Sequence, residues 1–522
     1  MGCVSSKEGL GQPNFFQRNL CLHRKEPVLQ VYRIVDHLGK GAFGVVEKVE
    51  HIQTQRLYAM KTINIGGHKR SEFEKEIDIL RGLHHPNIVR MLETFEDDRH
   101  FYIIMELAAS GTVLLETVKT RGHAYDEDYT REIIRKLASV IQYLHSRFIC
   151  HRDLKLENIL LQDADQPELE IKLCDFGAST LFKMGVSMRK ILGSVVYMAP
   201  EVLEGNYTHS CDLWSLGVIM FMLLSNKAPF FGSTEEELVE NILQANYSFS
   251  DEVWTNVSAE AKSLIKKLLN PDPTTRYSAS QVLIHPWIRS DTHRVKMQVY
   301  DVFIPRLKAF CQYSAFHRAA LVAVAFCMPS GRTRQHCEVY NELNVAHNGI
   351  LTLHEMQHAE SLQRYSLDVE QIFQSLDQQR VNGVNLLEFV AATLNPEDIS
   401  NDLFTRRAFG LFDRDNSKSV TDHDLLGLLG PHFDRAMCKE MIRRTDADND
   451  GKVSYQDFTK MLQTPMSYLQ RTKRMMRRSN STGSQLNISK IEMELLENTQ
   501  TLQPATEGVT DQRRYSIPLK LG

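Results

Sequence analysis

The sequence lacks the features that mark membrane-spanning or disulfide-stapled proteins. Its longest uninterrupted apolar run, 319–328, has ten residues, about half of what a transmembrane helix needs. No secretory signal precedes the main body of the chain. The nine cysteines are scattered and contain no Cys-x-x-Cys pair, which indicates neither a zinc site nor a disulfide framework. We therefore expect reduced thiols and no transmembrane segment.

A strong charge of either sign is also absent. The formal net charge is −4, from 61 basic and 65 acidic residues, so the composition gives no general attraction to nucleic acid. A hydrophobic content of 42% is ordinary for a globular protein. At 522 residues the chain exceeds what one core usually supports, which predicts about two to four domains. We expect a monomer without a nucleic-acid partner.

What the sequence does contain is a pair of motifs suited to phosphoryl transfer. Residues 151–158 read His-Arg-Asp-Leu-Lys-Leu-Glu-Asn, and Asp175-Phe176-Gly177 begins seventeen residues after Asn158. Asp153 would orient an attacking hydroxyl, and Lys155 would lie beside the transferred phosphate. Asn158 and Asp175 would hold metal ions. A lone Asp-Phe-Gly is weak evidence, but the two motifs in this order and spacing are specific.

A glycine-rich stretch and a lysine upstream predict the nucleotide site. The pattern Gly39-x-Gly41-x-x-Gly44-x-Val46 would let the backbone close over phosphates, although a hairpin turn would use the same glycines. Lys61, in a strand-like stretch, could reach the phosphates or could be a solvated strand lysine. We expect Lys61 to pair with Glu76, while Glu72 and Glu74 remain alternatives. The other residues assigned to the ATP site are Leu38, Lys40, Ala42, Phe43 and Glu106.

The chain between 32 and 288 resembles a eukaryotic protein kinase. The resemblance is completed by Met198-Ala199-Pro200-Glu201, Asp212-x-Trp214 and Arg276. Lys155, two residues after Asp153, is similar to the serine/threonine branch. The resemblance implies ATP and Mg²⁺ as cofactors and protein serine or threonine hydroxyls as acceptors.

Four segments in the C-terminal half look like helix–loop–helix calcium repeats, about 33 to 36 residues apart. The expected loops are 344–355, 377–388, 413–424 and 446–457. Apolar residues lie four positions before each loop and just past its twelfth position. Four repeats in register are a strong sign of the fold, but metal binding must be judged for each loop.

The fourth loop has the best set of calcium ligands. Carboxylates stand at positions 1, 3 and 5, and Lys452 stands at position 7. Position 12 is Asp457, where glutamate is usual, and the shorter side chain makes a bidentate grip harder. We expect metal binding here, with lowered calcium affinity or a shift towards magnesium. The expected ligands are Asp446, Asp448, Asp450, Lys452 and Asp457.

The third loop is a weaker candidate. Lys418 occupies the sharp-turn position that is usually glycine, where a left-handed conformation costs roughly 1 kcal/mol. Its expected ligands are Asp413, Asp415, Ser417, Ser419 and Asp424. Metal binding and a purely structural loop remain about equal alternatives.

The first pair of loops is expected to be structural. The first loop keeps Gly349 and Glu355 but has Ala346 at position 3 and only one carboxylate. The second has Gln379 at position 3 and Val381 at position 5. A packed helical scaffold is the better interpretation of this pair.

A kinase followed by four such repeats resembles the calcium-dependent protein kinase family of plants and protists. The resemblance covers about 32–465 and implies that the joining segment blocks the active site until calcium binds. The residues themselves show only apolar side chains at helical spacing: Phe303, Leu307, Phe310, Leu321, Val324 and Ala325. Such helices suit a groove, and a helix packed permanently on the large lobe is the alternative.

The N-terminus, Met1-Gly2-Cys3-Val4-Ser5-Ser6, fits the acceptor pattern for N-myristoylation at Gly2. One myristate binds membranes only marginally, so a second signal is needed, and Cys3 is a plausible palmitate acceptor. A leader with a chance glycine is the alternative. We expect a lipid-anchored protein on the cytoplasmic face of a membrane.

These interpretations predict an α+β bilobal protein kinase fold followed by an all-α EF-hand, calmodulin-like domain. The predicted segments are a lipidated leader 1–31, kinase 32–288, autoinhibitory junction 289–333, hands 334–465 and disordered basic serine-rich tail 466–522. The predicted function is a calcium-regulated, membrane-anchored serine/threonine kinase. Two alternatives remain, a kinase whose hands are a calcium-insensitive scaffold and a non-catalytic calcium-sensing adaptor.

Overall fold

The structure, a computed structural model, describes residues 15–41, 44–65, 70–108, 113–161, 170–290, 295–378, 380–430 and 432–463. The predictions for Gly2, Cys3, Ala42, Phe43 and the tail 466–522 fall outside these residues. The described part contains a sheet-rich small lobe, a helical large lobe and a module of helical hands. The expected α+β class is confirmed. No helix in the described part is long and apolar enough to cross a membrane.

The small lobe is built on one six-stranded sheet. Its strands run in the order β1-β5-β6-β4-β3-β2, and β1 pairs in parallel with β5. The elements of this lobe are α1 (Phe15–Leu20), β1 (Leu22–Arg24), α2 (Val28–Val31), β2 (Tyr32–Gly41), β3 (Gly44–His51), β4 (Leu57–Asn64), α3 (Arg70–Arg81), β5 (Met91–Glu96) and β6 (His100–Glu106).

Part of the segment predicted as a leader is folded: helix α1 packs against the helix Asp422–Leu429 of the hands, and β1 joins the small-lobe sheet. Phe16, Leu20 and Val28 are buried, and burying such apolar side chains favours ordered structure. Leu22 pairs with Glu93 across the parallel strands. The folded chain therefore begins before residue 32.

The large lobe is mainly helical around the apolar helix α7. Trp214 on α7 stacks on Phe230, and Arg276 forms a buried ion pair with Glu201 at 2.6 Å. The elements are α4 (Leu114–Arg121), α5 (Glu127–Ser146), β7 (Ile149–Cys150), β8 (Ile159–Leu161), β9 (Ile171–Leu173), β10 (Thr180–Leu181), α6 (Pro200–Leu203), α7 (Cys211–Ser225), α8 (Glu235–Leu243), α9 (Ala259–Leu268), α10 (Ala279–Leu283) and α11 (Pro286–Arg289). Short 3₁₀ turns cover Leu156–Asn158, Val195–Tyr197 and Glu252–Asn256.

Two junction helices lead into the hands. The elements are α12 (Met297–Phe310), α13 (Ala315–Cys327), α14 (Ser330–Leu343), α15 (Leu353–His358), α16 (Glu360–Gln363), α17 (Val369–Leu376), α18 (Leu386–Thr393), α19 (Pro396–Ile399), α20 (Asp402–Phe412), β11 (Ser419–Val420), α21 (Asp422–Leu429), α22 (Arg435–Thr445), β12 (Val453–Ser454) and α23 (Tyr455–Gln463). Helix α14 begins inside the segment predicted as junction, four residues before 334.

All four loops have the same backbone turn. Positive φ angles occur at positions 4 and 6 of each loop, at His347 and Gly349, Arg380 and Asn382, Asn416 and Lys418, and Asn449 and Gly451. The third and fourth loops pair through β11 and β12, and the first and second through a bridge between Leu351 and Val384. The hands therefore form two pairs.

The junction helices lie among the hands. Helix α13 packs against α18 and α20, and α12 packs against α18. All six apolar residues expected to share a helix face are buried in this cluster: Phe303, Leu307, Phe310, Leu321, Val324 and Ala325. The Arg306 guanidinium donates to the Thr393 carbonyl at 2.9 Å. This arrangement differs from the alternative of a helix packed on the large lobe.

Candidate functional site

Lys61 lies at the centre of the cleft between the lobes. Its ammonium donates to the Glu76 carboxylate at 2.6 Å and to the Asp175 carboxylate at 3.2 Å. Glu76 on α3 is buried, whereas Glu74 is exposed, so the helix orientation selects Glu76 as the partner. Burial alone would lower the pKa of Lys61, but the attraction of Glu76 and Asp175 outweighs burial and raises it.

The pKa of Asp175 is also set by burial and by the charge of its partner, which act in opposite directions. Burial would raise the pKa of its carboxyl group, but the Lys61 charge outweighs burial and lowers the pKa. Lys61 and Asp175 are therefore both charged at neutral pH. A fixed ammonium beside a carboxylate is an arrangement that can receive a metal–phosphate group.

The loop between β7 and β8 brings together the other predicted catalytic residues. The Asn158 amide donates to the Asp153 carbonyl at 2.8 Å and to its carboxylate at 3.1 Å. The Lys155 ammonium lies 2.8 Å from the Asp153 carboxylate and donates to the Ser194 hydroxyl at 3.2 Å. Ser194, on the segment before α6, is a contact that the sequence motifs did not indicate.

Asp212 supports this loop from α7. Its carboxylate accepts hydrogen bonds from the backbone N–H groups of His151 at 3.0 Å and Arg152 at 2.9 Å, and from His145 Nε2 at 2.8 Å. Burial would raise the pKa of Asp212, but these hydrogen bonds and the histidine charge lower it to about 2. Asp212 is therefore a positioning residue for a loop in which Arg152 has a φ of +68°.

The glycine-rich stretch lies at the turn end of the hairpin between β2 and β3. Gly39 pairs with Val46, Lys40 with Val45, and Gly41 with Gly44. A Cβ atom added at Gly44 would lie 2.0 Å from the Thr62 carbonyl oxygen, so no other residue fits there without moving β4. Leu38 is 42% exposed just before the hairpin, where it could cover a nucleotide.

Glu106 differs from the other predicted nucleotide contacts. Its carboxylate accepts from the Lys172 ammonium at 2.8 Å and from the Arg90 backbone N–H at 3.0 Å. Burial would raise the pKa of Glu106, but Lys172 and Arg90 outweigh burial and lower it. Any nucleotide contact at this position therefore depends on the backbone. No sequence motif indicated the Lys172 pairing.

The fourth calcium loop has a donor set that fits a cation. The carboxylate oxygens of Asp446, Asp448 and Asp450 lie within 4.8 Å of one another. The Asp446 Oδ1 atom is buried without a hydrogen-bond partner among the described residues, and such an atom fits a metal ligand. At position 12, the Asp457 carboxylate accepts from the Ser454 N–H at 3.0 Å and hydroxyl at 2.6 Å. Lys452 lies at position 7, with its N–H bonded to Asp450 at 2.8 Å.

The third loop adopts the same fold and shares the backbone hydrogen-bond pattern of the fourth loop. Asp413 accepts from the Lys418 N–H at 3.0 Å, and Lys418 has the expected left-handed φ of +67°. The Ser417 hydroxyl donates to the Ser419 carbonyl at 3.0 Å, and Asp424 accepts from the Thr421 N–H at 2.9 Å. Asp415 accepts from the Ser417 N–H at 3.0 Å. A metal would have to compete with the Ser417 hydroxyl bond, because that bond joins two of the expected ligands.

The chain is similar to known proteins over both halves. Residues 32–288 match the protein kinase domain family, and residues 405–463 match the EF-hand domain pair. "Calcium-dependent protein kinase 14" of Arabidopsis thaliana is 32% identical over 483 residues, covering 88% of this chain and 90% of that protein. "Calcium-dependent protein kinase 22" of Oryza sativa subsp. japonica is 32% identical over 446 residues, covering 83% and 77%. "Calcium-dependent protein kinase 2" of Zea mays is 31% identical over 458 residues, covering 86% and 89%.

Proposed function

The chain belongs to the calcium-dependent protein kinase family, and from this premise we propose how its residues carry out and control phosphotransfer. It is a serine/threonine protein kinase that uses ATP with Mg²⁺, acts on protein substrates and binds Ca²⁺ through EF-hands. The observation that carries the proposal is the bonding of Lys61 to both Glu76 and Asp175, at 2.6 Å and 3.2 Å.

Four side chains perform the transfer. Asp153 accepts a hydrogen bond from the incoming hydroxyl and directs its oxygen towards the phosphate. Lys155, bonded to Asp153 and Ser194, neutralises charge on the transferred group. Asn158 and Asp175 would hold Mg²⁺, which supplies charge neutralisation on the phosphates when bound.

The nucleotide is held by the small lobe. Lys61, positioned by Glu76, binds the α and β phosphates, while the hairpin of Gly39, Gly41 and Gly44 covers them. The hydrogen bonds of Asp212 and the Lys61–Glu76 pair fix the catalytic loop and the lysine in place. Little rearrangement is needed before transfer, which lowers the entropic cost of reaching the transition state.

Calcium controls access through the junction helices. The third and fourth loops bind the metal, and the metal-loaded hands enclose 297–327. Among described residues, those lining the cavity beside Asp153 come only from the kinase, from Arg152 to Ser215. A cavity lined by the kinase alone supports our proposal that the junction lies away from the cleft when calcium is bound. Without metal, the junction returns to the cleft, and a hundredfold change in activity needs about 3 kcal/mol of coupling.

The N-terminus attaches the kinase to a membrane. Gly2 carries myristate and Cys3 carries palmitate, which together give the two signals that stable anchoring requires. The support for this is the sequence Met1-Gly2-Cys3-Val4-Ser5-Ser6 alone. We propose further that the protein acts as a monomer on the cytoplasmic face.

Phosphotransfer by purified full-length protein, measured in calcium and in chelator, tests the proposal. The native chain should transfer phosphate in calcium and should fall to a low basal rate in chelator. The Asp153→Asn variant should lose transfer in both conditions but keep its calcium binding. Equal rates with and without calcium would favour the scaffold alternative, and an active Asp153→Asn variant would refute the role of Asp153.

A further inference from the structure

The first hand closes its loop with hydrogen bonds between its own residues. The Glu355 carboxylate accepts from the Ala346 N–H at 3.0 Å with one oxygen and from the Thr352 N–H at 2.9 Å with the other. The bond from Thr352 also occurs at position 12 of the third and fourth loops. The bond from Ala346 joins positions 3 and 12 and has no counterpart in those two loops, all of whose residues the structure describes. With Ala346 at position 3, the loop offers little for calcium to bind.

The outward carbonyls of this loop bind the kinase instead. Arg147, the residue after α5, donates to the Asn348 carbonyl at 2.7 Å and to the Gly349 carbonyl at 3.4 Å. The Ser146 hydroxyl donates to the same Asn348 carbonyl at 3.1 Å. The planar guanidinium of arginine can bond two neighbouring oxygens at once. Arg147 therefore binds the outer surface of the loop through these two carbonyls.

Arg147 is itself held in place. Its guanidinium lies over the Tyr143 ring, 3.8 Å from the centroid, and such a stacked cation is restricted in motion. The Tyr143 hydroxyl accepts from the His84 backbone N–H at 2.8 Å. Tyr143, Ser146 and Arg147 therefore form a prepared surface on the large lobe, which we call the α5 dock.

Gly349 is required by this contact and not only by the turn. A Cβ atom at Gly349 would lie 2.2 Å and 2.5 Å from two Tyr143 ring carbons. The equivalent position carries Asn382 and Lys418 in two other loops, at φ angles of +57° and +67°. Side chains are thus tolerated by the turn itself, and glycine at 349 lets the loop approach the ring.

We propose that the first hand is a docking element whose loop binds the α5 dock through Arg147 in place of binding calcium. Docking holds the calcium module on the large lobe in the arrangement that releases the junction. This second statement rests on the proposed function. The docking contact itself does not, because it depends only on the geometry of loop 344–355 and α5.

Hydrogen–deuterium exchange of the full chain in calcium tests the contact directly. Arg147→Ala should speed exchange in the loop peptide 344–352, and Gly349→Ala should speed exchange in the α5 peptide 138–147, each by about tenfold for the loss of charge-assisted hydrogen bonds. Asn382→Ala is the matched control, because it places alanine at the same turn position in an exposed loop. Rates in both peptides equal to those of the native chain and the control would overturn the proposal.

Two further measurements separate docking from calcium control. Calorimetry of Glu355→Gln should give the same number of bound calcium ions as the native chain, and a lost site would overturn the proposal. In activity titrations, Arg147→Ala should raise the half-activating calcium concentration about threefold. The reason is that a tenfold weaker docking equilibrium, divided between two calcium sites, changes the apparent affinity of each site by about the square root of ten. A normal activation curve together with faster exchange would refute the regulatory role while keeping the dock. A kinase insensitive to calcium would refute the proposed function but leave the exchange result meaningful.

Discussion

Replacing Lys61 with methionine should destabilise the small-lobe side of the cleft as well as stop phosphotransfer. The side chains of Lys61 and Glu76 are 10% and 5% exposed and are joined at 2.6 Å. Removing one partner of a buried pair leaves an uncompensated charge and costs about 3–5 kcal/mol. Asp175 is 36% exposed, so solvent screens its loss and it adds little. The expected destabilisation is therefore about 3 kcal/mol or more.

Tryptophan fluorescence gives an assay that reports on the large lobe, whose core is continuous with small-lobe residues such as Ile63 and Ile77. The three tryptophans of the chain are Trp214, Trp254 and Trp287, and all three are buried in the large lobe. For a domain of this size each kcal/mol shifts the melting temperature by about 2–4 °C. The Lys61→Met variant should thus melt roughly 10 °C below the native chain.

The double variant Lys61→Met/Glu76→Leu is the matched control. It removes both charges and replaces them with apolar groups, which often restores the stability of a buried pair. It should regain most of the lost melting temperature while remaining inactive. A Lys61→Met chain that melts at the native temperature, or a double variant as unstable as the single one, would refute the reasoning.

Three further predictions concern other parts of the molecule. Asp212→Asn should cost about 2 kcal/mol at neutral pH, since a pKa depressed from 3.8 to about 2 is worth 1.36 kcal/mol per unit. That stability is present above pH ~4 and is lost as the pH falls towards 2. The free energies of unfolding of the variant and the native chain, measured in urea, should therefore converge in acid. A difference that stays constant with pH would contradict this. Asp457→Glu should raise the calcium affinity of the fourth loop by restoring bidentate reach, and calorimetry showing unchanged or weaker binding would count against it. Gly2→Ala should release the protein from membranes in fractionation, and full retention would exclude the lipid anchor.

The sequence allowed the cleft to be predicted because its motifs are local. Asp153, Lys155 and Asn158 lie within six residues, so the fold of one short loop brings them together. The four loops were also predictable, since each places its ligands within twelve residues. The left-handed turn expected at Lys418 is present, with a φ of +67°.

Contacts between segments that are distant in sequence could not be predicted from local motifs. The sequence left Glu72 and Glu74 as alternative partners of Lys61, and the choice of Glu76 over Glu74 needed the orientation of α3 against the sheet. The pairing of Glu106 with Lys172 and of Arg147 with Asn348 joins residues 66 and 201 positions apart. No local pattern marks such pairs, because their geometry depends on how whole elements pack.

The N-terminal segment is a second case in which a distant contact could not be predicted from local sequence. The acylation pattern at the N-terminus, with a kinase resemblance that begins at residue 32, predicts a lipidated leader over 1–31. In the structure, Arg24 donates to the buried Glu93 at 2.5 Å, and Tyr32 also donates to Glu93. The strand Leu22–Arg24 is fixed by a partner about seventy residues away, so three residues of sequence could not have revealed it.

A calcium titration of phosphotransfer, comparing the full chain with a chain truncated after residue 290, tests the central claim most directly. The full chain should be nearly inactive in chelator and should gain roughly a hundredfold in activity with calcium. The truncated chain, which lacks the junction helices and the hands, should be active at every calcium concentration. A truncated chain that stays at the low rate of the chelated full chain would show that residues 297–327 are not the brake and would contradict the account.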